Sequence, residues 1–178
     1  MQAQKVGFMA AAQRQRNLPV LQPDLFKERL RDMCTMEEVS KAVLNILKDV
    51  RDAGAERIGY VSGMISSDGP GFVERNIKRL AGYAEAIRGR EHFPVFSPTD
   101  VLFNELYVRL RHETEPRWYW FWETILSGGQ VTDVFFTPRW ESSLGARDEE
   151  RVARKIGLNR HYLENDPLLL SIKDAVRR

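Results

Sequence analysis

The chain has 178 residues, of which 43% are hydrophobic and 29% charged, with a formal net charge of +2. That balance describes one globular domain with a real core and excludes wholesale disorder. The basic excess is too dilute for a duplex-DNA face, and no apolar run approaches the roughly 20 residues that cross a bilayer.

Cys34 is the only cysteine, so no disulfide framework and no multi-cysteine zinc site can form within one chain. His92, His112 and His161 show no metal-ligand spacing. A reducing, cytoplasmic setting without a metal or other cofactor is the expectation.

Residues 1–23 carry Gln, Arg, Pro19 and Pro23 and read as an irregular lead-in, either a mobile arm or a segment that docks a partner. From Asp24 the pattern turns helical, with Leu25, Phe26, Leu30 and Met33 at three- to four-residue spacing. Thr35 and Glu38 make a capping box for a second helix, whose stripe is Val39, Ala42, Val43, Ile46, Leu47 and Val50 and which Gly54 ends. Arg57–Ser62 is a short buried strand running into a Gly63–Gly71 loop, and residues 72–88 form an amphipathic helix. Pro94–Ser97 is a second strand. Thr99 or Asp100 caps one helix carrying Val101, Leu102, Leu106 and Leu110.

Glu113–Arg117 is a polar break, and a helix follows in which Trp118, Phe121, Trp122, Ile125 and Leu126 line one side. In the aromatic run 118–122, that spacing favours a core role for Trp118, Phe121 and Trp122. Tyr119 and Trp120 are left for an interface or the cleft. Val131–Thr137 is the best strand, rich in β-branched and aromatic residues. A helix follows at about 146–156, Gly157 stops it, His161–Leu163 is a short strand, and Pro167–Arg178 offers a last helix. Strands alternate with helices from Arg57 onward, which predicts an α/β fold with a parallel sheet covered by helices. Residues 1–56 are an N-terminal arm and helical extension, and 57–178 the α/β domain.

Ligands of such sheets sit beyond the carboxyl ends of the strands. Two loops rich in small and polar residues start there, at Ser62–Gly69 and at Trp140–Gly145. The second opens into a helix, whose N-terminal N–H groups suit an anion. Ser143 reads equally as a helix cap, Gly63 as a plain turn, and Asp148, Glu149 and Glu150 as a solvated acidic first turn. Asp133, inside a strand, reads as either a ligand contact or a structural hydrogen-bonding residue.

The run Tyr60-Val-Ser-Gly63-Met64, then Asp133-Val-Phe-Phe, then Ser143-Leu-Gly145-Ala-Arg-Asp-Glu149 resembles the nucleoside 2-deoxyribosyltransferase superfamily. The Ser-Leu-Gly-x-x-x-Glu segment is similar to deoxynucleoside 5′-monophosphate N-glycosidases, and the fuller Trp140–Glu149 pattern to a branch of small bacterial and phage proteins. The resemblance covers about residues 57–163. It implies a flavodoxin-like (Rossmann-like) fold, a glutamate nucleophile at Glu149, and a homodimer or higher homo-oligomer. It also implies a substrate cradle of Tyr60, Gly63, Met64, Ile65 and Asp133, with Ser143 and Gly145 at a 5′-phosphate or 5′-hydroxyl. Two departures stand out: no proline follows Gly63, and the family's upstream aspartate falls on Ile125, leaving Glu123 as the nearest acid. Nucleosides or nucleotides are the implied substrates. A non-catalytic nucleotide-binding or sensor module is the alternative, and an interaction protein docking through residues 1–56 a third reading.

Overall fold

The structure is a computed structural model that describes residues 21–163, so the N-terminal arm before Leu21 and the helix expected over Pro167–Arg178 lie outside the described residues. Among the described residues two helices come first, α1 (Pro23–Leu30) and α2 (Met36–Asp52). The capping box forms as expected: Thr35 Oγ1 accepts from the Glu38 N–H at 3.2 Å, and Glu38 Oε2 accepts from the Thr35 N–H at 3.0 Å. The α2 stripe of Val39, Val43, Ile46, Leu47 and Val50 is buried.

The rest alternates: β1 (Gly59–Ser62), α3 (Val73–Arg90), β2 (Val95–Phe96), α4 (Pro98–Val101), α5 (Asn104–Leu110), α6 (Glu115–Ser127), β3 (Asp133–Phe136), α7 (Leu144–Ile156) and β4 (Asn159–Tyr162). The four strands of the described residues form one all-parallel sheet in the order β2-β1-β3-β4, flanked by helices and consistent with a flavodoxin-like fold. In register, Gly59 lies opposite Val95 and Asp133, Ser62 opposite Phe136, and Asp133 opposite Asn159.

Several boundaries differ from expectation. All four described strands are short, and β1 begins at Gly59, so Arg57 stands outside it with its guanidinium bonded to Asp133. The helix expected from Thr99 is two helices. Its cap is Ser97, Asp100 is the acid of the capping box, and Leu102 at φ −95°, ψ 65° leaves the helical conformation. The expected polar break at Glu113–Arg117 is mostly helix, since α6 starts at Glu115 with Pro116 in its first turn, where a proline costs no hydrogen bond.

Alternation along the strands divides the core. Tyr60, Val134, Phe136 and Phe96 join α1, α2, α6 and α7 in the larger cluster, while Val61, Phe135 and Val95 face Leu80, Tyr83, Ala84 and Ile87 of α3. Residues of α1 and α2 therefore share one core with the sheet. Truncating a buried phenylalanine in it, such as Phe26 or Phe136, belongs to a class that costs about 3–5 kcal/mol. Among the described residues no helix is long and apolar enough to cross a membrane.

Strand order reverses between β1 and β3, since β2 lies on one side of β1 and β3 on the other. That switch point opens a crevice at the carboxyl ends of β1 and β3. Gly63 stands at its lip. A Cβ there would lie 2.3 Å from Thr137 Oγ1 and 2.9 Å from Leu80 Cδ1, so the close approach of the two strand ends requires glycine. Gly63→Ala is expected to lower stability by about 1–3 kcal/mol, the range for forced overpacking. Adding Thr137→Ala should recover most of that loss in chemical denaturation, and strict additivity of the two changes would contradict the assigned contact.

Candidate functional site

The site is built where α7 crosses the carboxyl end of β1. Ser143 caps α7, its Oγ accepting from the Ala146 N–H at 3.3 Å. Gly157, at φ 76°, ends the helix in the left-handed conformation that favours glycine. Between them Ala146, Glu149, Glu150, Val152 and Ala153 form the buried stripe. Two glutamates thus stand on the face of an amphipathic helix that packs inward, where helical spacing alone would put aliphatic residues.

Glu149 is 7% exposed. Tyr60 Oη donates to its Oε1 at 2.9 Å, and Ser62 Oγ donates to its Oε2 at 2.5 Å. Tyr60 and Ser62 are two residues apart on β1, so the strand's alternation brings both hydroxyls to the same face. Burial pushes the Glu149 carboxyl up to about 7, reinforced by the nearby Asp148 charge and opposed by the Ser62 and Tyr60 hydrogen bonds. Burial and the neighbouring carboxylate push the Tyr60 hydroxyl well above its ordinary value, so it stays a donor. Its ring is braced by Phe96 and Trp122, at centroid distances of 5.3 and 5.4 Å. Near neutrality the carboxyl is therefore poised between acid and base, a property concentrated at functional sites.

Glu150 has a different environment. Arg154 at 2.7 Å, Tyr162 at 2.9 Å and Arg160 at 3.4 Å all donate to its Oε1. Burial would raise that carboxyl, but the Arg154 and Tyr162 bonds outweigh it and hold it below the ordinary range. It fastens α7 to β4.

The structure brings Tyr60 and Glu149 together, with Gly63 next in chain to Ser62 but facing Thr137 and Leu80, and leaves other expected site residues elsewhere. Met64 follows Gly63 at the lip of the crevice and lines a small depression on the α3 side. Ile65 accepts from Asn76 through its carbonyl and packs against the α3 core. Gly145 has open space around the position of a Cβ, with Ser143 Oγ nearest at 3.9 Å.

Asp133 is fully buried at the amino end of β3, the opposite end of the sheet from the crevice. Arg57 donates to both of its oxygens at 3.0 and 2.5 Å, Thr132 Oγ1 donates at 2.7 Å, and His161 Nε2 lies 2.8 Å away. Burial would raise this carboxyl. The Arg57, His161 and Thr132 bonds overcome it and bring it down to about 2. Its geometry is that of a structural hydrogen-bonding residue, placed away from any ligand beside Glu149.

Glu123 also lies away from Glu149. Its side chain faces Arg151 at 3.8 Å and Lys155 at 4.0 Å. Those residues follow Glu149 by two and six positions, about 200° and 240° around the helix at 100° per residue, so they mark the outer face of α7.

Ser62, read from the sequence only as the start of the Ser62–Gly69 loop, and Trp122, read as core, are the residues that complete the setting of Glu149. The available signal for Ser62 was a hydroxyl two residues after Tyr60, at the carboxyl end of an otherwise apolar strand. Trp122 was assigned to the core by its spacing, and it is core on one side and a brace for Tyr60 on the other. Trp120 is 38% exposed with the Arg117 guanidinium 4.9 Å from its ring centre.

The paired hydroxyls give a direct test of how Glu149 is tuned. Hydrogen bonds to a carboxylate favour its charged form, so Tyr60→Phe and Ser62→Ala should each raise the Glu149 pKa further, by roughly one unit. Carboxyl titration by NMR with labelled glutamate reads this out. A titration that stays put or moves down in both variants would show that these hydroxyls do not hold the carboxylate.

Among the described residues no group of three or more His, Cys, Asp and Glu side chains is arranged to hold a metal ion. No protein-family model, curated protein or solved structure matches this chain.

Proposed function

We propose that the protein binds a nucleoside or nucleoside 5′-monophosphate in the crevice between β1 and β3 and cleaves or transfers at its N-glycosidic bond. Glu149 is the nucleophile. The observation that carries this reading is the Glu149 carboxylate itself, buried beside the switch point of a parallel sheet and oriented by Tyr60 and Ser62. The sequence resemblance assigned the nucleophile to that position and counted Tyr60 among its neighbours.

The chemistry follows from the charge that develops. As the bond from the anomeric carbon to the base nitrogen breaks, the electron pair leaves with the base and the sugar gains oxocarbenium character. An ionised Glu149 oxygen stabilises that positive charge and closes a glycosyl ester. Water, or the nitrogen of a second base, then attacks the anomeric carbon and releases the carboxylate. Tyr60 and Ser62 fix the carboxylate so that little reorganisation accompanies attack. The Leu144 and Gly145 N–H groups, among those a helix leaves without intrahelical partners, face the sugar's 5′ side. Because attack needs the ionised form, activity should rise with pH through about 7.

A second reading is a nucleotide sensor with the same crevice and no turnover. Glu123 favours it, since that acid, on α6, is paired with Arg151 and Lys155 on the outer face of α7 and not with Glu149. A panel of nucleosides and monophosphates separates the two readings when ligand-induced thermal stabilisation and free-base release are measured together. An enzyme gives release, whereas a sensor gives stabilisation with no base.

A homodimer belongs to the same reading, motivated by exposed Tyr107, Val108 and Trp120 on the α5 and α6 surfaces. Light scattering at tens of micromolar should report twice the chain mass of 20.6 kDa. A mass of one chain would count against it.

A further inference from the structure

On the side of the sheet that carries Val61, Val95 and Phe135, α3 is the one helix that contributes to the core among the described residues. It lies over β1 and β2. A helix is about 10 Å across and neighbouring strands are about 4.8 Å apart, so one helix covers about two strands. The β3–β4 half of this side is left with thin cover. His161 lies flat on Phe135 at a centroid distance of 4.5 Å, and its own side chain is 39% exposed. Phe93 stacks on Phe135 at 6.4 Å, and Leu163 is partly buried against the α3 cluster.

The opposite side of β4 is taken. Alternation turns Arg160 and Tyr162 toward α7, where they donate to Glu150 at 3.4 and 2.9 Å. Asn159, His161 and Leu163 therefore share the side that α7 does not cover.

The chain after β4 has the pattern that fits this gap. Leu163 stands just past the carboxyl end of β4, and Glu164, Asn165, Asp166 and Pro167 follow it. That is a connection of ordinary strand-to-helix length, with an acid before a proline as at a helix start. Beyond it Leu168, Leu169, Ile172, Ala175 and Val176 recur at i, i+1, i+4, i+7 and i+8, one helical stripe, with Asp174 opposite. As a helix, residues 167–178 would be about 18 Å long, enough to run back along a strand of about 13 Å.

We infer that residues 167–178 pack as a helix, antiparallel to β4, on the α3 side of β3 and β4, with this stripe over His161 and Leu163. The inference is independent of what the crevice binds. The docked segment holds the strand that Glu150 fastens to α7, the helix that carries Glu149.

Cysteine trapping in the full chain tests it, in a Cys34→Ser background because Cys34 is exposed. Asn159→Cys, at the exposed amino end of β4, is paired in turn with Ala175→Cys, Val176→Cys and Asp174→Cys. The strand's length equals about nine helical residues, which brings 175 and 176 level with Asn159. Mild oxidation should close a disulfide within one chain for Ala175→Cys or Val176→Cys at least about tenfold faster than for Asp174→Cys, because only inward positions bring Cβ atoms within the roughly 4 Å that a disulfide spans. Ile172→Ala should lower the folding equilibrium constant about tenfold or more in denaturant unfolding, and Lys173→Ala should leave it within about twofold. Disulfides that form between chains instead would put a second copy on this side and overturn the inference. Equal closure at 174, 175 and 176 overturns it too, as does no closure at any of them together with a stability that Ile172→Ala leaves unmoved.

Discussion

Glu149→Gln is expected to make the protein more stable above neutral pH while removing its activity. The Glu149 carboxyl has a folded pKa of about 7 against an ordinary value of 4.5. A raised carboxyl favours the folded state fully at pH below about 4.5. As pH rises the folded state must either hold the proton or ionise a buried group, and the advantage is gone once pH passes about 7. A difference of that size corresponds to about 3 kcal/mol. Glutamine keeps the shape, accepts from one hydroxyl and donates to the other, and cannot ionise. Denaturant unfolding should find wild type and variant nearly equal at pH 5 and the variant ahead by up to about 3 kcal/mol at pH 8.5. Equal stability at both pH values would show that the buried charge costs nothing. The expected trade is the one functional sites commonly make, stability given up for a group held ready.

Asp133→Asn should do the reverse: lower stability and leave catalysis alone. Asp133 is buried and bonded to Arg57, Thr132 and His161. Its carboxyl, at about 2 in the folded protein, contributes stability that is present above pH 3.8 and lost as pH falls toward 2. Asparagine cannot accept the Arg57 fork on both atoms. Arg57 is 45% exposed and His161 39%, so solvent screens part of the loss. A decrease of about 1–3 kcal/mol at pH 7 is expected, with a shallower acid limb of the stability curve. An unchanged kcat/KM in the folded variant would agree with a structural Asp133. A selective rise in KM without loss of stability would return the residue to the substrate site.

The contrast between these two acids shows what a sequence can and cannot convey. The α/β alternation, the Thr35–Glu38 capping box and the α2 stripe were legible because each depends on neighbours within one turn or one strand. The pairing of Tyr60 with Glu149 was legible only through a resemblance, since 89 positions separate them and no local pattern links a strand hydroxyl to a helix carboxylate. For Asp133, a strand pattern tells which residues are buried but not which end of the strand faces the ligand crevice. That depends on the parallel register with Gly59 and on Arg57 arriving from the amino end. Glu123 turns on helical phase: it shares α6 with buried Trp122, and its side chain pairs with Arg151 and Lys155 across the α6–α7 contact, which no local pattern conveys. The helix break at Leu102 was hidden because apolar spacing continues through it, while the capping box at Ser97 closes a single turn.

The central claim is that the Glu149 carboxylate attacks the sugar of a nucleoside or its monophosphate. The most direct measurement is the rate of free-base release by wild type and Glu149→Gln, side by side on the same panel at pH 8. The account predicts release from at least one substrate by wild type and a rate lower by about a thousandfold or more in the variant, both proteins being folded. Release by the variant at the wild-type rate would contradict the assignment of Glu149, and a wild-type protein that releases no base from any of them would contradict the glycosidic reading as a whole.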